Sequence, residues 1–230
     1  MSVPPSGSPR VPARRGERAM VPVAGPAAHS PGERLADALL DVLGHVPRSR
    51  EPVSSDPAEA VRRLTARAAR QAASAAGALA LPPGPLGWLT VLPELMAVWR
   101  IQAQLVADIA AVHGRQGQLG REQMLWCLFK HTASQAVRDL VVRAGERWLV
   151  KKAGAVALRA AARRVGVKLT QQGVAKAASR WLPVVGAMGV AAYAWHDTRQ
   201  VARSAAELFA RPVDVVDAGG EVIDLPAEPD

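Results

Sequence analysis

Period-two alternation of apolar and polar residues, the mark of a half-buried strand, is almost absent from this chain, while alanine is everywhere. Alanine is the best helix former and has a small side chain, so Ala-rich helices can pack closely. With 49% hydrophobic residues over 230 positions there is enough apolar mass for the core of one ordinary domain, although aromatics supply only 4%. The expected fold is all-α: a single domain of about seven helices with no substantial sheet, in which the Pro/Gly-opened apolar segments 82–99 and 181–195 form the central hairpins.

The helix starts are legible. Ser30-Pro31-Gly32-Glu33 places Ser at the N-cap, Pro at the first helical position and Glu at the third. Leu35, Leu39, Leu40 and Leu43 follow at helical spacing, and Gly44 and Pro47 end the run. Asp56-Pro57-Ala58-Glu59 repeats the pattern, and Val61, Leu64, Ala68, Ala72, Ala75 and Leu79 form one apolar stripe before the prolines at 82–85. Further helices are expected over about 87–113 (with Pro93 inside), 121–144, 146–165, 168–179 and 183–210. Residues 1–29 hold six of the 18 prolines and read as a disordered arm, leaving 30–211 as the domain. Residues 212–230 form an acidic tail. Its segment 213–225 alternates around Gly219-Gly220, so a short hairpin and a frayed tail both remain open. A faint repeat lays Trp99 on Trp195, Gln104 on Gln200 and Ala110 on Ala206; two related hairpins packed together would explain it, and with so few identities chance explains it nearly as well.

The most telling feature for function is charge. Positions 147–196 carry nine basic residues and no acid, matching the net charge of +9 of the whole chain. The rest of that stretch is mostly Ala, Val, Leu, Gly and Trp, and basic groups among apolar ones suit an anionic membrane surface. The candidate lipid-binding residues are Lys151, Lys152, Arg159, Arg163, Arg164 and Lys168, with Trp148, Trp181 and Trp195 as interfacial aromatics. Lys152, Arg159 and Arg163 fall on one helical stripe and Arg164 and Lys168 nearly opposite, which is not a clean amphipathic pattern. The glycine-rich loop 114–120, flanked by Arg115 and Arg121 and leading into a helix start, is a second candidate for binding a phosphate. The acidic tail is expected to fold onto the basic surface and weaken docking. Two other readings stay open: a soluble scaffold that binds a protein partner such as a membrane complex, and a nucleic-acid binder. Interleaved Ala and Val and the lack of any binding motif weigh against nucleic acid.

Two uncharged apolar segments, 71–93 and 181–195, are interrupted by Pro and Gly. A span needs about 20 apolar residues, so these fit buried, interfacial or re-entrant helices better than spans. The N-terminal segment has no apolar signal core, and we expect a cytoplasmic protein at the inner face of the membrane. Cys127 stands alone between Trp126 and Leu128 and reads as a buried thiol. No HExxH, paired CxxC, Walker loop, GxSxG or GxGxxG occurs, so no enzyme, metal or cofactor is expected. His113 and His131 flank the glycine loop with Asp108 and Asp139 nearby, where helix-end histidines are commoner than a His/Asp metal pair, and His196-Asp197 opens the polar half of the last helix, where capping or partner contacts explain it more easily than catalysis.

Two stretches carry a pattern of Pro/Gly turns opening apolar helices. The first is Pro83-Gly-Pro-Leu-Gly-Trp-Leu-Thr-Val-Leu-Pro93, followed by Arg100-Ile101, Ile109-Ala110 and Gly114. The second runs over 151–189, with Lys168-Leu-Thr-Gln, Lys176-Ala and Pro183-Val-Val-Gly186. In order and spacing they resemble the EcsC protein family. The chain departs from the family at Leu92, where an acid often precedes the second Pro, and at His113, where Tyr is usual. The resemblance covers roughly half of the chain. It implies an all-helical bacterial protein of no established biochemical activity, often membrane-associated, and carries over no catalytic residue.

Overall fold

The computed structural model describes residues 30–79, 87–138, 140–144, 146–176, 183–216 and 221–223. The proline-rich segment 1–29, the prolines of 82–85, Asp139, Trp181 and the last acidic residues lie outside them. Among the described residues are seven helices: α1 (Pro31–Gly44), α2 (Pro57–Leu79), α3 (Gly87–Val112), α4 (Arg121–Phe129), α5 (Ser134–Val137), α6 (Ala155–Lys176) and α7 (Pro183–Phe209). The expected starts of α1 and α7 are met at Pro31 and Pro183, and α1 opens on a capping box. Ser30 Oγ accepts from Glu33 N–H at 3.3 Å, and the Glu33 carboxylate accepts from Ser30 N–H at 2.9 Å.

The expectation of no substantial sheet is corrected. Four strands, β1 (Val141–Ala144), β2 (Arg147–Lys151), β3 (Val213–Val216) and β4 (Val222–Ile223), pair in the order β1-β2-β3-β4. β1 and β2 are antiparallel, with Ala144 opposite Arg147 across a two-residue connection. β3 joins β2 in parallel, aligning Trp148 with Val213 and Lys151 with Val216, and β4 returns antiparallel to it. The helix expected over 121–144 therefore stops at Phe129, and α6 begins at Ala155 rather than 146. It then runs unbroken through Gly166 where two helices were expected. Arg147-Trp-Leu-Val-Lys151 alternates in burial, with Trp148 and Val150 inward and both ends out. Five residues are too few to announce a strand against a basic, Ala-rich neighbourhood.

The helices form two packed groups. α2, α3 and α7 make a three-helix bundle, and α1 lies along α6 and α3. Leu39, Leu43, Val106, Ile109, Met124, Leu125, Leu208 and Phe209 are fully buried in the shared core. α3 and α7 run in parallel and in register. Gln102 donates to Thr198 Oγ1 at 3.2 Å, and Val98 and Ala194 share one small cluster. Each of these pairs is separated by 96 positions, as are Trp99 and Trp195. The faint sequence repeat thus corresponds to two neighbouring parallel helices.

The α1–α6 contact is unusually close. A Cβ placed on Gly166 would sit 2.3 Å from the carbonyl oxygen of Gly32 and 3.3 Å from Ala36 N. Only glycine lets the two backbones approach this far. That crossing fixes which face of α6 is turned inward.

Candidate functional site

Leu158, Ala161, Ala162, Val165 and Gly166 are buried and define the inner face of α6. At about 100° per residue, Val156, Ala160 and Val167 fall down the middle of the opposite face. Val156 is 85% exposed and Val167 51%, Val167 lying also beside Gly32 of α1. Arg159 and Arg163 run along one flank of this apolar strip, and Arg164 and Lys168 along the other; all four are exposed. The two basic groups that look opposed in the sequence are the two borders of one outward face. Between Arg163, Arg164, Val167, Lys168 and Gln171 lies an open hollow of about 320 Å³.

The face carries little countercharge. Arg163 bridges to Glu33 at 3.0 Å, tying α6 to the start of α1. Arg159, Arg164 and Lys168 have no ion-pair partner among the described residues. Lys151 and Lys152, where β2 leaves the sheet, are exposed too. Their backbones are fixed, since Lys151 N–H donates to Leu140 O at 3.0 Å and Lys152 N–H to Val216 O at 2.8 Å. Four of the sequence-derived cations, Arg159, Arg163, Arg164 and Lys168, thus border one helix face, while Lys151 and Lys152 are exposed at the end of β2.

The other candidates divide differently. Trp148 is corrected from an interfacial aromatic to a core residue. It is 6% exposed, packs on Trp126 with ring centroids 5.3 Å apart, and donates from Nε1 to Glu207 O at 3.2 Å. Trp195 is half-buried. Arg115 is corrected as an anion ligand: its Nη1 donates to the carbonyl oxygens of Phe209 and Arg211, closing the C-terminus of α7. The glycine loop is a helix stop rather than a phosphate cradle. Gly114, at φ 66°, ends α3 while Gly114 N–H reaches Ala111 O and Arg115 N–H reaches Ala110 O, both at 2.8 Å. The start of α4 is furnished already, with Gln123 Oε1 accepting from Gly120 N–H at 3.0 Å and Glu122 Oε1 from Ala153 N–H at 2.9 Å. Arg121 remains exposed beside it.

The acid-rich segment is not a detachable flap over the basic surface as far as Val216. β3 sits inside the sheet, and Asp214 pairs with Arg147 at 3.0 Å. Removing 212–230 would therefore remove an inner strand.

A polar cluster that sequence spacing missed joins three parts of the fold. His131 Nε2 lies 2.7 Å from Asp197 Oδ1, and Gln102 Nε2 donates to Asp197 Oδ2 at 2.8 Å. Burial and the neighbouring Asp197 push the Tyr193 phenol up to about 12. The sequence offered His131 nearer aspartates, but the partner is 66 positions away. Cys127 is fully buried and its thiol is pushed up by burial, so it is no ready nucleophile. No group of three metal-ligating side chains occurs among the described residues.

One described helix is long and apolar enough to cross a membrane, over Leu95–Val112, but 61% of that window is buried in the fold. No protein-family model, curated protein or solved structure matches the chain.

Proposed function

We propose that this protein is a non-enzymatic, peripheral membrane-associated helical protein that docks on anionic lipid through the outer face of α6. The observation that supports this most is the exposed Val156–Val167 strip bordered on both sides by arginine and lysine. Aliphatic stems of Arg and Lys can lie on an apolar surface while their heads reach the phosphates. Three unpaired cations, Arg159, Arg164 and Lys168, at about 1 kcal/mol each give attachment in the range of several millimolar. Two valines leaving water at about 1 kcal/mol apiece bring it to about 0.2 mM, a reversible anchor. The docking residues in this reading are Arg159, Arg163, Arg164 and Lys168, assisted by Lys151 and Lys152. The likeness to the EcsC family and a place at the cytoplasmic face of a bacterial membrane belong to the same proposal.

Flotation of the purified chain with vesicles of phosphatidylcholine, alone or with phosphatidylglycerol, tests it. Binding confined to the anionic vesicles and weakened by salt is the expected result. Absence of flotation on anionic vesicles at low salt would favour a soluble scaffold instead.

A further inference from the structure

α2 packs on α3 and α7 through one face and turns the other to solvent. Leu64, Ala68, Ala69 and Ala72 are buried on the inner side. From Glu59 to Ser74 every exposed residue is polar: four arginines, Glu59, Gln71 and Ser74. At about 100° per residue Arg63, Arg67 and Arg70 fall within about 60° of one another, so they stand in one row along the outer face. Arg62 lies to one side, where its Nε donates to the Glu59 carboxylate at 3.0 Å.

Little countercharge meets the row. Arg67 and Arg70 have no ion-pair partner among the described residues. Arg63 reaches Glu51 at 3.4 Å, yet its side chain stays 67% exposed. Arg50, next to Glu51 in the chain, is exposed too. Arg63 and Arg67 are like charges at i,i+4, and Arg67 and Arg70 at i,i+3, spacings at which repulsion weakens a helix. An anion from outside would relieve that repulsion.

The chemistry of the partner follows from what the row lacks. α6 sets its cations beside exposed valines, whereas no apolar side chain is exposed among these arginines. Lipid docking gains from apolar contact, and this row offers charge alone. Charge alone suffices for a nucleic-acid backbone, whose condensed counterions are released as arginine replaces them. From Arg63 to Arg70 the row is about 10 Å long. One strand of a duplex presents a phosphate about every 3.4 Å, so the row faces about three of them. α2 has no aromatic side chain to stack on a base, so contact stops at the backbone.

We infer that the arginine row of α2 is a sequence-independent binding site for the phosphate backbone of nucleic acid, separate from lipid docking through α6. α6 packs on α1, and α2 on α3 and α7, so either face can be altered without the other.

Fluorescence anisotropy of a labelled DNA duplex of mixed sequence, titrated with the full chain over a range of salt, tests it. Three phosphate contacts at about 0.9 each make log K fall with log salt at a slope of about −2.7. Arg67→Gln and Arg70→Gln combined should bring the slope to about −0.9 and weaken low-salt binding about tenfold or more, with the helical spectrum unchanged. Arg159→Gln and Arg164→Gln combined, the matched change on α6, should keep the slope of the parent chain. No duplex binding at low salt overturns the inference and leaves α6 docking standing. A slope lowered by the α6 change and not by the α2 change overturns it too. Poly-glutamate bound as tightly as the duplex would make the row a site for acidic protein instead. Vesicle flotation lost in the α2 variant, with duplex binding unchanged, would assign the row to lipid and overturn the inference as well.

Discussion

Gly166→Ala tests the α1–α6 crossing that sets the orientation of the basic face. The added methyl would lie 2.3 Å from the Gly32 carbonyl oxygen, a backbone atom that no side-chain rotation can move. The helices must separate by about 1 Å, and overpacking of this kind costs about 1–3 kcal/mol. Alanine recovers up to about 1 kcal/mol of helix propensity, so the net loss is about 1–2 kcal/mol. Gly189 is the matched control, since it is also inside a helix and nothing lies within 4 Å of a Cβ built there. Gly189→Ala should therefore stabilise by about 0.5–1 kcal/mol. Urea denaturation followed by circular dichroism should separate the variants by about 1.5–3 kcal/mol, on opposite sides of the parent. A Gly166→Ala chain as stable as the Gly189→Ala chain would refute the close crossing, and with it the assignment of the α6 outer face.

Other predictions follow from side chains whose roles the fold defines. Tyr193 is the only tyrosine, so absorbance titration isolates it; its midpoint should lie near 12 when folded and near about 10 in denaturant. Because the native state holds that proton longer than the unfolded one, stability should fall as pH rises from about 10 to 12, and Tyr193→Phe should remove that part of the fall. Trp148→Ala should cost about 3–5 kcal/mol in thermal or urea unfolding, whereas a Trp serving only at a lipid interface would leave stability unchanged. Arg115→Met leaves two carbonyls at the end of α7 without their donor and should cost about 1–3 kcal/mol while leaving vesicle binding of the folded chain intact.

Local signals read well where one short motif decides the outcome. Ser30-Pro31 and Pro183 mark helix starts because an N-cap hydroxyl or a proline acts on its own turn. The sheet was illegible for the opposite reason. β2 is five residues long and finds its parallel partner, β3, beyond two intervening helices, so its stability comes from a pairing that no sequence window contains. The face of α6 could be laid out by periodicity, but which side pointed outward depended on Gly166 meeting Gly32. Arg115 looked like an anion ligand from its glycine neighbours, and the carbonyls that occupy it belong to residues 209 and 211. The His131–Asp197 pair escaped for the same reason: its members share a site only after α4 has packed on α7.

The central claim is that cations on the outer face of α6 hold the protein on anionic lipid. Arg159→Glu, Arg164→Glu and Lys168→Glu combined test it most directly, because these side chains are exposed and have no ion-pair partner among the described residues. Arg163 is left in place to keep its bridge to Glu33. The account predicts that the triple variant keeps its helical spectrum and loses flotation on phosphatidylglycerol-containing vesicles at low salt. Flotation equal to that of the parent chain would contradict it.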